Sequence, residues 1–235
     1  MHKDYAHNVY REEEMPEYFA DVIENVIQRI DHGSVCDLGS HAIGHYWAMG
    51  YIERVESYSC YDLSSEAIGL FKNLMADWQD GDLMKKHPIY MDYLYKNKVI
   101  KAPPEEIEKQ LIDKLDVVKV FDFLKDTPDQ QYDIVLANES LPVVDTYEEF
   151  VTAMRTAYNF LKDGGLLITV SGPFEKETDD VKHMQSFKIE GSLSPTSELF
   201  EKAMREVGFK DVETKTFPVQ NFENYNRLDI CSARR

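Results

Sequence analysis

The chain has 235 residues, 43% apolar and 12% aromatic, enough for one well-packed domain or at most two small ones. A formal net charge of −17 and a pI near 4.8 exclude nucleic acid as the main partner, because acids dominate where phosphate binding needs clustered Lys and Arg. No apolar run approaches the roughly 18 residues of a membrane span, and the polar, acidic opening Met1–Glu14 does not read as a signal peptide.

From Met15 to Ile30, the residues Phe19, Val22, Ile23, Val26, Ile27 and Ile30 recur at helical spacing, with Pro16 in the first turn. A strand over Ser34–Asp37 follows, then the Gly39 turn, a helix through 41–51 and a second strand over 56–61. Ser64 and Ser65 are N-cap candidates for a helix reaching Asp77. Residues 77–103 break the alternation with aromatic and basic residues and read as an insertion. Pro103 and Pro104 open a helix to Leu115, followed by a strand over Val117–Phe121 ending in Asp122. Gln131–Asn138 is the cleanest strand. Thr146–Leu161 is an amphipathic helix, with Gly164 and Gly165 placed to supply a left-handed cap. Leu166–Val170 is the next strand, and a polar loop covers 172–194. A helix from Pro195 to Val207 closes at Gly208, and strands at 211–217 and 226–233 finish the chain. Strands alternating with helices and ending in a strand pair describe one α/β domain, with a small cap made from the insertions. Cys36, Cys60 and Cys231 lie far apart without a CxxC pattern, which reads as buried, reduced thiols and fits a cytoplasmic setting.

Open α/β sheets bind ligands beyond the carboxyl ends of their strands. Here those ends carry Asp37, Gly39 and Ser40, then Asp62, Asp122, Asn138-Glu139-Ser140 and Ser171. The set suits a nucleoside: Asp62 for ribose hydroxyls, Asp122 for the amine of adenine, and the Gly39 turn for the ligand's tail. The segment 39–44 lacks Gly-x-Gly-x-x-Gly, which disfavours a dinucleotide and an NAD-dependent oxidoreductase.

The acidic-Gly loop, the acid after strand two, Asp133 before the fourth strand and Leu161-Lys162-Asp163-Gly164-Gly165 before the fifth resemble the class I S-adenosylmethionine-dependent methyltransferases. That resemblance implies a Rossmann-like, seven-stranded sheet, mostly parallel with the last strand antiparallel. It also implies a single domain over residues 1–235, with 1–31 as N-terminal lid and helix, and 77–103 and 172–194 as cap. A narrower similarity is to the nicotinamide, phenylethanolamine and thioether/indolethylamine N-methyltransferases. It rests on Asp4-Tyr5 with Tyr10, Asp37-Leu38-Gly39-Ser40, Asp62-Leu63-Ser64, the insertion with Trp78, Phe121-Asp122-Phe123, Asn224 through Leu228, and Ala233-Arg234-Arg235.

Carried over, the similarity implies that Tyr5 and Tyr10 close over the cofactor and that Gly39 and Ser40 meet its amino-acid end, with Asp37 and Tyr46 also among the cofactor-binding residues. Asp62 and Leu63 would hold the ribose, Asp122 and Phe123 the adenine, and Asn138 the region near the methionine tail. His41 departs from the family's glycine in this loop, and His45 or Tyr46 can fill its contacts. Ser171 stands where the nicotinamide enzyme has a substrate-binding aspartate, so nicotinamide itself is not supported; Ser171, Phe174, Asn224 and Tyr225 are the acceptor-site candidates. Glu139, Glu175, Glu190 and Asp145 could hold or take the acceptor's proton, Glu139 foremost, and His183 offers a base near neutral pH. The aromatic residues Tyr90, Tyr93, Tyr95, Phe174, Phe187, Phe222 and Tyr225 suit a cation-tolerant pocket.

The resulting expectation is methyl transfer from S-adenosylmethionine, leaving S-adenosylhomocysteine, to a small amine or heteroaromatic nitrogen. No metal is expected, since no His, Asp or Glu set has ligand spacing. Nor is a nucleic-acid or membrane partner, and the chain is expected as a monomer or weak homodimer. An O-methyltransferase and a methyltransferase-like binding module without catalysis are the alternatives.

Overall fold

The computed structural model describes residues 24–40, 44–79, 94–138, 140–141, 144–171, 196–222 and 225–235; within these, side chains at 44–47, 74, 77–79, 219–222 and 225–227 are not described. Two compact units divide the chain, Met1–Phe121 and Asp122–Arg235.

In the first unit a helix, α1, is described over 24–29 and seats Val26 and Ile27 in the core. Gly33, at φ 74°, turns the chain into β1 (Ser34–Leu38). Helix α2 (Gly44–Tyr51) and a 3₁₀ turn (Ile52–Arg54) lead to β2 (Ser57–Asp62), which lies parallel to β1 from Ser34↔Ser57 to Leu38↔Tyr61. Ser64 caps α3 (Ser65–Gln79) as expected, its hydroxyl accepting from the Ala67 N–H at 3.1 Å. Pro104 opens α4 (Pro104–Lys114), and β3 (Leu115–Val120) follows without a loop, two residues earlier than the sequence pattern suggests. Its register with β2 starts at Tyr58↔Leu115 and shifts before Cys60↔Val118, so the strand must begin at once.

Polar contacts between distant segments staple this unit. The Arg54 guanidinium donates to the carbonyls of Ile27 and Val99, while the Glu53 carboxylate accepts the backbone N–H groups of Lys101 and Ala102.

The second unit contains β4 (Tyr132–Asn138), α5 (Tyr147–Phe160), β5 (Leu161–Ser171), α6 (Ser197–Val207), β6 (Lys210–Phe222) and β7 (Tyr225–Arg234). β5 runs parallel to β4, and β7 antiparallel to both β5 and β6. A capping box starts α5, with Thr146 and Glu149 each bonding the other's backbone. Apolar faces of α5 and α6 meet through Phe150 and Phe200, edge to face at 4.9 Å. Gly208, at φ 112°, ends α6 as the sequence predicts. The seven strands follow the order β3-β2-β1-β4-β5-β7-β6, with only β7 reversed, as expected for a class I methyltransferase-like sheet.

One expected cap does not form. α5 ends at Phe160 with Leu161 already extended (φ −87°, ψ 142°), because Leu161 pairs at once with Tyr132. Residues 162–165 then loop out before Ile134↔Leu166 restores the register. Gly164, at φ 78°, serves this loop and not the helix. A Cβ on Gly165 would stand 2.9 Å from the Lys162 carbonyl and 3.0 Å from that of Asp133, so close packing demands this glycine.

Lys162 pairs with Asp133 at 2.8 Å across the loop, which explains why both occur together. Arg235 clamps the same place. Its backbone N–H donates to the Gly165 carbonyl, and its carbonyl accepts from the Gly164 N–H. Its guanidinium donates to the Leu161 and Tyr158 carbonyls and lies 4.9 Å from the Tyr158 ring centroid.

Among the described residues no helix is long and apolar enough to cross a membrane. Arg235→Ala is expected to lower stability by about 1–3 kcal/mol, the scale of charge-assisted hydrogen bonds to backbone carbonyls. Urea unfolding should register this as a lower midpoint at unchanged slope.

Candidate functional site

Residues in β2 alternate, so Tyr58, Cys60 and Asp62 share one face, and Asp37 of β1 stands opposite Cys60. This is how two short parallel strands gather the acids that the sequence places far apart. Asp37 is 2% exposed and accepts a hydrogen bond from the Tyr58 hydroxyl at 3.2 Å. Burial pushes its carboxyl up to about 8; the Tyr58 hydrogen bond works against that shift, and the nearby Asp62 adds to it. Burial likewise raises the Cys60 and Cys36 thiols and the Tyr58 phenol, so these stay protonated near neutrality. All three cysteines are free and buried, as their spacing suggests.

Gly39 takes φ 73°, a conformation that side-chain-bearing residues rarely adopt. The turn lets two successive N–H groups, Gly39 and Ser40, donate to the Tyr61 carbonyl at 2.7 and 3.3 Å. The loop is thereby tied to the carboxyl end of β2, one residue before Asp62. Ser40 is 5% exposed, and its hydroxyl sits beside the Cys60 thiol with no oxygen or nitrogen partner among the described residues. Asp62 is 8% exposed; its Oδ1 accepts from the Ser64 N–H at 2.7 Å and its carbonyl from the Phe121 N–H. Leu63 beside it is an exposed apolar side chain, as is Val120, the register partner of Asp62. Asp37, Gly39, Ser40, Asp62 and Leu63 therefore form one constellation.

Asp122 lies two residues beyond the end of β3, in a turn and not at the strand tip. Its Oδ1 accepts from the Leu124 N–H at 2.9 Å and its Oδ2 from Lys125 at 2.7 Å, and the Lys125 hydrogen bond leads the causes that hold its carboxyl below the usual range. The Phe123 carbonyl accepts from the Thr156 hydroxyl. Asn138 ends β4 opposite Val170. Ser171, the last residue of β5, is buried, its hydroxyl without a hydrogen-bond partner among the described residues, and across the ladder from it stands Asp229 of β7.

Tyr5, Tyr10, His41, Glu139, Phe174, Glu175, His183, Glu190 and Asn224 lie outside the described residues, as do Tyr90, Tyr93 and Phe187. Side chains of His45, Tyr46, Phe222 and Tyr225 are likewise not described. Asp145 is exposed just before α5. Two participants escape the sequence reading. Tyr58 is legible from the two-residue alternation Tyr58-Cys60-Asp62, and Asp229 from an acid standing inside the apolar run Leu228–Cys231.

The arrangement offers a positive-φ turn, a buried hydroxyl with no oxygen or nitrogen partner among the described residues, and two buried carboxyls at the ends of parallel strands. A carboxyl that titrates at about 8 can ionise when a cation approaches, because the cation offsets the cost of burial. Among the described residues no group of three potential metal ligands is present.

No protein-family model matches the chain, and no curated protein matches it either. Many solved structures do match in fold. The N-methyltransferase NodS of Bradyrhizobium japonicum WM9, in complex with S-adenosylhomocysteine, superposes at TM-score 0.58 and 12% identity, covering 94% of this chain and 89% of its own. The magnesium protoporphyrin IX methyltransferase ChlM of Synechocystis PCC 6803, also with bound S-adenosylhomocysteine, gives 0.63 and 12%, covering 99% and 93%. A SAM-dependent methyltransferase of Methanosarcina mazei gives 0.59 and 13%, covering 89% and 96%. At such identities the likeness is one of fold: a class I methyltransferase, Rossmann-like sheet.

The raised Asp37 carboxyl has a consequence for stability. Between its unfolded value near 3.8 and its folded value near 8, the native state holds a proton that the unfolded state has lost. Stability therefore falls as pH rises through that window, by about 1.4 kcal/mol per unit, and levels off above it. Asp37→Asn should remove this dependence. Thermal melts at pH 5 and pH 8 are expected to show the variant gaining on the wild type at the higher pH; equal differences at both would refute a protonated Asp37.

Proposed function

We propose that the chain is an enzyme that transfers a methyl group from S-adenosylmethionine to a small acceptor, an amine or heteroaromatic nitrogen. The observation that carries this reading is the constellation at the ends of β1 and β2: Asp37 and Ser40 beside the Gly39 turn, with Asp62 next to them. Its support is chemical. The unpartnered Ser40 hydroxyl and the buried Asp37 carboxyl suit an ammonium-bearing amino-acid tail. Asp62 suits ribose hydroxyls, and the exposed Leu63 and Val120 suit a purine face. Asp122 and Phe123 follow on the chain and serve the adenine edge, while Asn138 serves the methionine end. Tyr5, Tyr10 and Tyr46 complete the cofactor's enclosure in this reading.

The cofactor supplies a methyl already activated on a sulfonium. The chain's residues then have three tasks: to align the acceptor nitrogen in line with that methyl, to exclude water, and to hold the nitrogen's proton. Glu139, one residue beyond β4, is the proposed proton acceptor, with His183 as its alternative. Ser171, Phe174, Asn224 and Tyr225 are the proposed acceptor-site residues. NodS, described as an N-methyltransferase, is a fold neighbour whose activity agrees with nitrogen as the target.

Calorimetry with S-adenosylmethionine tests the cofactor. Saturable binding is expected, and Asp62→Ala should weaken it by roughly tenfold to a hundredfold, the loss of charge-assisted hydrogen bonds. No binding by the wild type would sink both enzyme readings. A screen of amines, pyridines and phenols, reading S-adenosylhomocysteine release, tests the acceptor. Turnover confined to phenols would replace nitrogen by oxygen; cofactor binding without turnover would leave a binding module. Deleting residues 1–12 should weaken cofactor affinity without unfolding the domain, and unchanged kinetics would remove Tyr5 and Tyr10 from the site.

A further inference from the structure

We propose that Asp229, flanked by Ser171 and Thr216, accepts hydrogen bonds from a cationic nitrogen of the methyl acceptor and so selects amines over their neutral isosteres. The proposal rests on the methyl-transfer reading and adds a residue to it. Ser171 closes β5 and stands directly opposite Asp229 in the antiparallel ladder; Asp229 in turn stands opposite Thr216 of β6. Residues opposed in this way project to the same face, so the three side chains form one rung across three strands. The Thr216 hydroxyl donates to Asp229 Oδ1 at 2.7 Å, which fixes the carboxyl in the rung.

Burial makes two members of the rung unusual, Thr216 being exposed. Asp229 is 0% exposed and Ser171 4%, and the Ser171 hydroxyl makes no hydrogen bond with the described residues. Polar groups so deeply buried are costly unless something satisfies them. The Thr216 bond holds one oxygen of Asp229, whereas the Ser171 hydroxyl has no hydrogen-bond partner among the described residues.

The next rung inward on the same face also holds a buried hydroxyl without an oxygen or nitrogen partner among the described residues, that of Thr169, but it carries no acid on its strands. Thr169, Cys231 and Thr214 stand opposite one another there, and Thr214 bonds both Cys231 and Glu201 of α6. Those strand residues are hydroxyls and a thiol, and burial pushes the Cys231 thiol up to about 11. The acid stands one rung outward, where β5 ends and where open sheets place their ligands. One carboxyl between two hydroxyls is an acceptor-rich set. It favours an ammonium or a protonated ring nitrogen and disfavours a carboxylate ligand.

Titration of the full chain, saturated with S-adenosylhomocysteine, tests the proposal. The probes are benzylamine and butylamine, each paired with its alcohol, benzyl alcohol and butanol. The wild type is expected to bind each amine at least about tenfold more tightly than its alcohol, the worth of one charge-assisted hydrogen bond. Asp229→Asn, which keeps an acceptor for Thr216, should abolish that preference while leaving alcohol and S-adenosylhomocysteine affinities within about twofold. Ser171→Ala should reduce the preference about threefold, and it keeps the test available if the Asp229 variant does not fold. Amines that bind no better than their alcohols, or a preference unchanged in a folded variant, would overturn the proposal. Failure of S-adenosylhomocysteine to bind the wild type is read in the same experiment; it would overturn the methyl-transfer reading and this proposal with it.

Discussion

Burial of the Asp37 carboxyl is the constraint around which the first half of this protein is arranged. A carboxyl removed from water must either lose its charge or find partners. Here the register of two parallel strands supplies the Tyr58 hydroxyl and sets Cys60 directly opposite. The same register delivers the Tyr61 carbonyl to the amides of Gly39 and Ser40, so the loop after β1 is held by β2. Asp62 then follows within one residue. A slip of one residue would turn Asp37 to the opposite face of the sheet and separate it from both Tyr58 and Cys60.

In the second half, the organising contact is backbone to backbone. Arg235 and the Gly164-Gly165 pair exchange two hydrogen bonds, and the Arg235 guanidinium adds bonds to the Tyr158 and Leu161 carbonyls where α5 passes into β5. Gly165 is required because any side chain would meet the carbonyls of Lys162 and Asp133. The Leu-Lys-Asp-Gly-Gly run, Asp133 and the terminal arginine thus form one physical unit, although they read as three separate motifs along the chain.

Much of the fold was legible because its signals are local. Ser64, Thr146 and Gly208 stand where caps belong, and helical or two-residue periodicity marks the elements between them. The structure departs from the local pattern where a tertiary demand overrides a local preference. Leu161 stops a helix to pair with Tyr132, so Gly164 became a loop residue and not a cap. β3 begins directly after α4 because Tyr58 requires Leu115 as a partner. Asp122 follows an apolar run as a strand tip would, yet its carboxyl turns back to bond Leu124 and Lys125. Of the candidate site, Asp37, Gly39, Ser40 and Asp62 could be read as polar ends of apolar strands. Asp229 could not be placed, because its neighbours Ser171 and Thr216 come from other strands.

The sequence by itself determined the order and kind of the elements, the acidic-Gly loop, the acid after strand two and the absence of paired cysteines. Periodicity, turn residues and spacing are properties of contiguous residues, and they survive without coordinates. Only the tertiary structure decided which polar groups are buried together. The Asp37–Tyr58 bond, the burial of the Ser40 and Ser171 hydroxyls, and the Ser171–Asp229–Thr216 rung all depend on strand register. Register is set by pairing between distant segments, and pairing at that separation leaves no mark in either segment alone.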